Sequence, residues 1–414
     1  MRVLQINNFE SIGGGSDRVY QLTTRMLLDR GHFVATLSCG EESFDMRKTT
    51  VLLPRNDYFN TSPFQTLRNI RDFIYRPEAV NAIEDLVDSF RPDIAHLHIF
   101  YGQLSSSVIA VLRRLKIPCV MTVHEYRLLC PISTLYNERL GICERCAQGE
   151  KHNLVVHRCN RKSILASALS FGEAWTRDRY FNYLEHISHF FMVSKFCLEK
   201  HSEYLPDISQ KASVLYNFVP EGDIAETPGI ISHDAPFLYV GRLSYEKGVI
   251  LLCSAVKERP NLRLRIAGDG PIADSIKAEF SIYPNIEFLG RLPPSVIKEE
   301  LRKAKFSIVP SDWYENNPMS VLESFGVGTP VIGSEIGGIP ELVLPGSTGI
   351  LFNPSDKRSL LRALDNAYAM PLESRNSLGS AALAMIRLRH NESIYYNQLI
   401  DSYEKVIRKS NGSN

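Results

Sequence analysis

The sequence lacks the features of a membrane-spanning, nucleic-acid-binding or disulfide-stapled protein. Its apolar runs all fall short of a membrane-spanning helix, and its first residues form a strand pattern without the long apolar region of a signal peptide. Lys and Arg number 47 against 46 Asp and Glu, so no overall charge favours nucleic acid as a partner. We therefore expect a cytoplasmic protein whose eight cysteines are thiols or metal ligands.

The first loop is rich in glycine but lacks the residues of an ATP-binding P-loop. Gly13, Gly14 and Gly15 follow a strand pattern at residues 3–7, without the Lys and Ser/Thr that a P-loop needs. The sequence therefore does not indicate kinase or NTPase chemistry. The loop can still bring backbone amides close to a phosphate or an acceptor, or serve only as a strand-to-helix turn. We expect Ser16 to cap the helix that follows.

The chain is long enough for two domains. Its 414 residues exceed what one hydrophobic core usually organises. Strand-length apolar runs alternate with helical periodicity in both halves, which predicts parallel α/β sheets with right-handed crossovers. We place a first domain at 1–205, a second at 206–385 and a last helix at 386–414. Predicted strands lie at residues 3–7, 32–38, 94–98, 119–124, 190–193, 237–241, 262–268, 286–290, 306–310 and 330–333.

Two carboxylates follow the predicted strand at 306–310. Glu315 lies in the strand-to-helix loop and Glu323 in the helix, which we expect to begin with Asn317 as cap and Pro318 in the first turn. Ligands of open α/β sheets bind at the carboxyl ends of strands. The first free N–H groups of the helix can hold a phosphate, and carboxylates can accept hydrogen bonds from sugar hydroxyls. The loop therefore predicts a nucleotide-sugar pocket.

Glu315 and Glu323, with seven residues between them, resemble the Glu-x7-Glu motif of retaining GT-B glycosyltransferases of the family-4 type. The chain departs from the family at Asn316, Asn317 and Pro318, where the family often has Gly-Phe-Gly after the first Glu. The resemblance implies an α/β GT-B fold, in which two Rossmann-like doubly wound domains face each other across a cleft. The last helix would cross back to the first domain. Further segments that match the family in order are 240–248, 267–271, 328–333 and 337–341.

The resemblance also implies an activity. A sugar would pass from a nucleotide-diphosphate sugar to a hydroxyl acceptor, a glycan or lipid-linked glycan, with retention of configuration. Family analogy suggests a role in surface polysaccharide synthesis. Two alternatives stay open at this point. One is a sugar phosphorylase, nucleotide-sugar hydrolase or epimerase on the same scaffold, and the other is a non-catalytic sugar-nucleotide-binding assembly subunit.

The site residues implied by the resemblance come from both halves of the chain. Arg242 and Lys247 would neutralise the charge that builds on a diphosphate leaving group. Glu315 would face the transferred sugar, and Glu323 would bind the ribose hydroxyls. His124, at the end of a predicted strand, would form hydrogen bonds near the sugar and not act as a general base. Candidate donor-binding residues are Gly14, Gly15, Gly241, Gly268, Asn316, Asn317, Met319, Ser320 and Glu323.

Four cysteines between residues 130 and 160 form a specific pattern, C-x12-C-x2-C-x12-C. Four thiolates can satisfy tetrahedral zinc, and a metal would order a segment that is poor in core residues. We predict a structural zinc site here, with four buried or free thiols as the alternative. We expect no catalytic cofactor. The predicted ligands are Cys130, Cys143, Cys146 and Cys159, with His152 and His157 as substitutes.

Two features allow more than one interpretation. Residues 161–187 predict one long helix with Trp175 and several Arg, which would either rest on an anionic membrane surface or pack in the ordinary way with solvated Arg. His96 and His98 lie on one face of a strand. They would either line the acceptor side of the cleft or pack in the core.

Overall fold

The protein folds into two lobes, each built on a parallel sheet. The structure is a computed structural model that describes residues 1–41, 45–56 and 63–412, without the side chains of 63–67. The predicted doubly wound α/β fold is confirmed. Within the described residues, no helix combines the length and apolarity needed to cross a bilayer.

The N-terminal lobe holds seven parallel strands in the order β3-β2-β1-β4-β5-β8-β9, and a short β6–β7 hairpin stands apart. Its strands are β1 Arg2–Phe9, β2 Phe33–Cys39, β3 Thr49–Leu53, β4 Ile94–Leu97, β5 Cys119–Val123, β6 Tyr136–Asn137, β7 Gly141–Ile142, β8 His189–Met192 and β9 Ala212–Val214. Its helices are α1 Gly15–Asp29, α2 Pro63–Ile74, α3 Pro77–Phe90, α4 Ser107–Arg114, α5 Asn153–Val156, α6 Ile164–Thr176, α7 Tyr183–His186 and α8 Lys195–Tyr204.

The C-terminal lobe repeats this plan with six parallel strands in the order β12-β11-β10-β13-β14-β15. Its strands are β10 Phe237–Val240, β11 Leu264–Ala267, β12 Ile286–Gly290, β13 Ser307–Val309, β14 Val331–Ser334 and β15 Gly349–Phe352. Its helices are α9 Val249–Val256, α10 Ala273–Phe280, α11 Pro294–Lys303, α12 Met319–Gly326, α13 Ile339–Leu342, α14 Lys357–Ala369 and α15 Leu372–Arg389, followed by α16 Glu392–Gly412.

Burial on both faces explains why the strands could be found from apolar runs. A parallel sheet is covered by helices on each side, so its strands are nearly continuous apolar segments. Strands β4 and β5 are buried along their whole length. All ten predicted strands exist, and their ends differ from the prediction by at most two residues. The five strands that were not predicted are β3, β6, β7, β9 and β15.

Three local predictions need correction. Ser16 does not cap α1, because the capping position is occupied by Gly14, which has no side chain. Residues 161–187 do not form one helix. The segment divides into α6, a π-helical turn at Arg177–Phe181 and α7, with Asn182 in the left-handed region at φ 38°. The first sheet includes β9, so the N-terminal lobe extends beyond residue 205.

The C-terminal helix α16 packs against the N-terminal lobe. The Tyr395 hydroxyl lies 3.1 Å from Thr23 Oγ1 on α1, and the Tyr403 hydroxyl lies 2.5 Å from His96 Nδ1 on β4. Both tyrosines belong to a hydrophobic cluster that draws residues from each lobe. The last helix therefore ties the two lobes together through buried contacts.

Replacing Tyr403 by Phe should lower the free energy of unfolding by about 1–3 kcal/mol, because the buried Nδ1 atom of His96 loses its partner without a large change in side-chain volume. Urea denaturation followed by circular dichroism measures the change. The matched control is Glu404→Gln, an exposed neighbour whose i,i+4 pair with Arg408 should contribute about 0.5 kcal/mol or less. Equal stability of the Tyr403→Phe variant and the wild type would contradict the assigned contact.

Candidate functional site

One cleft between the carboxyl ends of the two sheets contains every catalytic and donor-binding residue that the sequence analysis proposed. Its volume is about 1850 Å³. The sequence positions come together because parallel strands present all their carboxyl ends at one edge. The predicted residues that line it are Gly14, Gly15, His124, Gly241, Arg242, Lys247, Gly268, Glu315, Asn316, Asn317, Met319, Ser320 and Glu323.

Lys247 and Glu315 meet at the point where the strand order of the second sheet reverses. Lys247 follows β10 and Glu315 follows β13, and these strands are neighbours although far apart in sequence. The Lys247 Nζ atom lies 2.6 Å from Glu315 Oε1. The same ammonium lies 4.8 Å from the centre of the Trp313 ring. The topology therefore places a cation and a carboxylate where doubly wound sheets bind ligands.

Glu315 is a buried carboxylate that stays ionised. It is 7% exposed, and the Ser311 hydroxyl and Trp313 Nε1–H donate to Oε1 at 2.7 and 2.9 Å in addition to Lys247. Burial opposes ionisation, but the charge and hydrogen bond of Lys247 and the two other donors hold the pKa of Glu315 below its ordinary value. The described donors all bind Oε1.

The loop before α12 differs in detail from the prediction. Pro318 is the capping residue and the helix begins at Met319, so Asn317 does not cap it. Instead the main-chain N–H of Asn217 donates to Asn317 Oδ1 at 3.1 Å, and Asn316 Nδ2 donates to the main-chain oxygen of His124 at 2.9 Å. The two asparagine side chains of this loop thus bind neighbouring segments of the main chain. The first N–H groups of α12 have no intrahelical acceptor.

Glu323 has a partner that the sequence analysis missed. Arg18, on α1 of the N-terminal lobe, places Nε 3.9 Å from Glu323 Oε1 and its terminal nitrogen 3.7 Å from Asp223 Oδ2. Burial raises the pKa of Glu323, and Arg18 only partly opposes the effect while Asp223 adds to it. The one available signal for Arg18 was its position one turn into the helix after the glycine loop.

Backbone crowding gives Gly241 and Gly268 a structural role at the cleft edge. Gly268 has φ +152°, and a Cβ atom there would lie 1.9 Å from the carbonyl oxygen of Gly241. Any other residue would push apart the ends of β10 and β11. Arg242, next to Gly241, is exposed on the cleft, and its carbonyl accepts a 2.7 Å hydrogen bond from Tyr239.

The glycine loop of the N-terminal lobe faces the donor loop of the other lobe. Gly14 precedes α1 and Gly15 opens it. A Cβ atom on Gly15 would lie 3.6 Å from Met319 Cγ, so the two helix starts approach each other across the cleft. The first N–H groups of both helices therefore border the same space, and Asp17 already accepts from the amides of Gly13 and Gly14.

His124 is the cleft end of a buried histidine chain. Its Nε2 lies 2.9 Å from His98 Nδ1, and His98 Nε2 lies 2.8 Å from Gln5 Oε1. His96 and His98 are both fully buried, so they belong to the core and do not line the acceptor side. Burial lowers the pKa of His124 to about 3, so its ring is neutral near pH 7 and suits hydrogen bonding.

Several polar atoms beside the cleft are buried without a hydrogen-bond partner among the described residues, including Asn316 Oδ1, Asn317 Nδ2 and Arg18 Nε. Buried polar side-chain atoms are nearly always paired with protein or ordered water. All three residues line the cleft. The site is therefore prepared for a ligand with both hydrogen-bond donors and acceptors.

The four cysteines of the predicted zinc site lie close enough to one another to interact electrostatically. Backbone amides of Ile132, Thr134 and Leu135 donate to the Cys130 sulfur. Asn137 Nδ2 lies 3.5 Å from Cys159 Sγ. In the described part of the chain, no three or more side chains of His, Cys, Asp or Glu are arranged so that they could hold a metal ion. The zinc site stays a prediction.

The Cys-rich segment contacts the donor loop through Tyr314. Glu144, between the second and third cysteines, accepts a hydrogen bond from Tyr204 at 2.5 Å, forms an ion pair with Lys200 at 3.0 Å and also interacts with Tyr314. The Tyr314 ring packs 5.0 Å from that of Phe196. The Cys-rich segment therefore contacts the residue directly before Glu315.

Two family models cover most of the chain. The model described as Glycosyltransferase Family 4 matches residues 12–222, and the model described as Glycosyl transferases group 1 matches residues 223–385. The junction falls after β9, where the first sheet ends.

Some curated relatives match this chain over only part of their own length, and others match it over most of their length. The chain is 31% identical to a sulfoquinovosyl transferase of Arabidopsis thaliana over 148 residues, which are 35% of this chain and 28% of that protein. An uncharacterized 42.6 kDa protein of the cps region of Klebsiella pneumoniae is 24% identical over 80% of this chain and 84% of its own.

Solved structures share the two-lobed fold. Sucrose-phosphate synthase from Thermosynechococcus elongatus has a TM-score of 0.73 at 19% identity, over 99% of each chain. The Anabaena protein Alr3699/HepE, in complex with UDP and glucose, has a TM-score of 0.66 at 14% identity, over 98% of this chain and 99% of its own. The sequence matches over both lobes and the common architecture agree, and the chain belongs to Glycosyltransferase Family 4, with the GT-B fold.

Proposed function

We propose that the protein transfers a sugar from a nucleotide-diphosphate sugar to a hydroxyl acceptor with retention of configuration. The observation that carries the proposal is the Lys247–Glu315 pair at the reversal point of the second sheet, 2.6 Å apart and open to the cleft. A cation suits the diphosphate and a fixed carboxylate suits sugar hydroxyls. The UDP and glucose held by the Anabaena structural relative are of the same chemical kind.

The diphosphate would lie between the two lobes. Lys247 and Arg242 come from the end of β10, and Gly15, whose amide opens α1, borders the cleft from the other side. Negative charge builds on the diphosphate as the glycosidic bond breaks. Fixed cations and N–H groups stabilise this charge most where water is excluded, which lowers the barrier to transfer.

The nucleoside would lie along α12. A carboxylate such as Glu323 accepts hydrogen bonds from both ribose hydroxyls, and Arg18 holds it from the opposite lobe. The Nε atom of Arg18, which has no hydrogen bond among the described residues, would then find an acceptor in the bound donor. This arrangement makes donor affinity depend on contacts from both lobes.

The side chains near the transferred sugar favour a same-face substitution. Glu315 has a lowered pKa because Lys247 and two further donors outweigh burial, so it is a weak base. His124 is neutral, because burial lowers its pKa to about 3. Neither group suits removal of the acceptor proton near pH 7. The leaving diphosphate would accept that proton as the new bond forms on the face it vacates.

The acceptor would approach from the N-terminal lobe. Glu125 and Arg55 line the cleft there, and neither was singled out in the sequence. Burial raises the pKa of Glu125, while Arg127 and Ser133 oppose the effect. A glycan or lipid-linked glycan offers hydroxyls to such groups. The match covers 84% of the relative from a cps region, and this relative supports a role in surface polysaccharide synthesis.

A thermal-shift screen over nucleotide sugars tests the donor assignment, because a ligand that binds only the folded state raises the unfolding temperature. The donor so found is then offered to hydroxyl acceptors, and NMR of the product's anomeric proton should show retained configuration.

Lys247→Ala should lower kcat/KM by about 100-fold or more. The control Lys303→Ala changes an exposed lysine outside the cleft and should match wild type. An inverted product, or full activity without Lys247, would overturn the proposal.

Donor binding should weaken in acid through Glu323. Because burial raises its pKa, the carboxylate takes up a proton at a higher pH than an ordinary Glu and loses acceptor strength. The KM for the donor should therefore rise as the pH falls through the raised pKa and stay flat above it. Glu323→Gln should show a raised KM without this acid limb, whereas Glu299→Gln, at an exposed position, should keep it. An unchanged acid limb in Glu323→Gln would exclude the assigned role.

We propose in addition that zinc draws the four thiolates of Cys130, Cys143, Cys146 and Cys159 into one tetrahedral site. Their spacing and the amide donors on Cys130 support the proposal. Elemental analysis should find about one zinc per chain. Cys146→Ser should lose the metal, and Cys253→Ser, which alters a buried thiol in the other lobe, should retain it. A metal-free wild type that is folded and active would refute the site.

A further inference from the structure

Helix α6 has the reverse of the usual distribution of side chains. Its buried residues are small or polar, while the apolar Leu165 and Trp175 are 83% and 52% exposed. Leu165, Ala168, Gly172 and Trp175 follow a spacing of three or four residues, so they share one face. Ala168 is also exposed. This helix presents an apolar stripe to the outside.

Polar contacts fix α6 in this orientation. Glu173, on the buried side, lies 3.3 Å from Arg127 and 3.1 Å from Arg177, and it accepts a hydrogen bond from Ser106 at 3.1 Å. Asn160 Nδ2 donates to Ser170 Oγ at 2.8 Å. A rotation that buried the apolar stripe would expose or break these contacts. The stripe is therefore a fixed property of the fold.

Cationic and aromatic groups flank the apolar stripe. Between residues 151 and 180 there are six Lys or Arg and two Asp or Glu, a local excess of four positive charges in a chain whose net charge is +1. Arg161 and Lys162 precede the helix, and Arg179 follows it, all three exposed. Tyr180, 66% exposed, packs its ring 5.6 Å from that of Trp175. Tryptophan and tyrosine favour the boundary between lipid headgroups and acyl chains.

We infer that α6 is a docking surface for an anionic lipid bilayer. The helix has 13 residues and so measures about 20 Å, too short to span a bilayer but suited to lying in its surface. The stripe enters the acyl boundary and the flanking cations meet lipid phosphates. A second copy of the chain fits less well. A two-fold contact through this stripe would bring the cationic ends of two helices together.

Docking through α6 orients the enzyme on the membrane. Helix α6 belongs to the N-terminal lobe, and through Arg177 and Glu173 it connects to Arg127, three residues after His124. The lobe proposed to bind the acceptor is thus the lobe that meets the lipid. The inference stands on the surface itself and does not require the proposed reaction.

Vesicle flotation of the full-length protein tests the inference. At low salt the wild type should float with vesicles that contain phosphatidylglycerol and much less with pure phosphatidylcholine. Leu165→Gln and Trp175→Gln should each weaken partition by about tenfold, since each removes a large apolar side chain from the interface. The control Leu388→Gln changes a leucine on α15 that is 72% exposed and should float like wild type.

A fluorescence measurement gives a second, independent readout. The chain has two tryptophans, so Trp313→Phe leaves Trp175 as the only one. Its emission should shift to shorter wavelength on addition of anionic vesicles. Wild type that stays with the unbound fraction at low salt, or variants that float like wild type, would overturn the inference. Self-association in light scattering, abolished by Leu165→Gln and without vesicle binding, would assign the stripe to a contact between copies.

Discussion

The ion pair between Lys247 and Glu315 is the interaction on which the site depends. A carboxylate that is 7% exposed needs a compensating charge, and Lys247 supplies it at 2.6 Å. The pair joins the loops after β10 and β13, so it sets the shape of the cleft at the reversal point of the sheet. Gly337 and Gly338 pack closely against the main chain of the loop that carries Glu315. A Cβ atom on either would lie within 2.3 Å of main-chain oxygens of Glu315 or Asn316.

From this centre, contacts run across to the other lobe. Asn316 reaches the main chain of His124, and Arg18 approaches Glu323. Glu341, on α13, accepts from the first two main-chain N–H groups of α8 at 3.0 and 2.7 Å, where a negative charge also suits the helix dipole. These links are polar and few, while the apolar contacts between lobes gather around α16.

The sequence predicted the parts of the structure that depend on local pattern. Strands buried on both faces are continuous apolar runs, and ligand residues lie just after them, so Lys247, Glu315 and Glu323 could be located from order and spacing. The pairing of Lys247 with Glu315 depends on the strand order, which the sequence analysis did not predict.

What the sequence did not reveal depends on contacts between distant segments. Arg18 acts across the cleft, and its position one turn into α1 does not show that Glu323 is its partner. His96 and His98 are buried because Tyr403 and Gln5 supply partners from far along the chain. The segment 161–187 divides because Asn182 takes a left-handed conformation that periodicity does not register. Ser16 has the right side chain for a cap, but Gly14 occupies the capping position.

The central claim is that cationic and acidic groups after β10 and β13 bind one activated sugar. A crystal structure of the complex with an intact nucleotide-diphosphate sugar tests this most directly. The account predicts the diphosphate within hydrogen-bond distance of Lys247, the ribose hydroxyls on Glu323 and the sugar beside Glu315. A donor bound elsewhere, with Lys247 still paired only to Glu315 and the cleft empty, would contradict it.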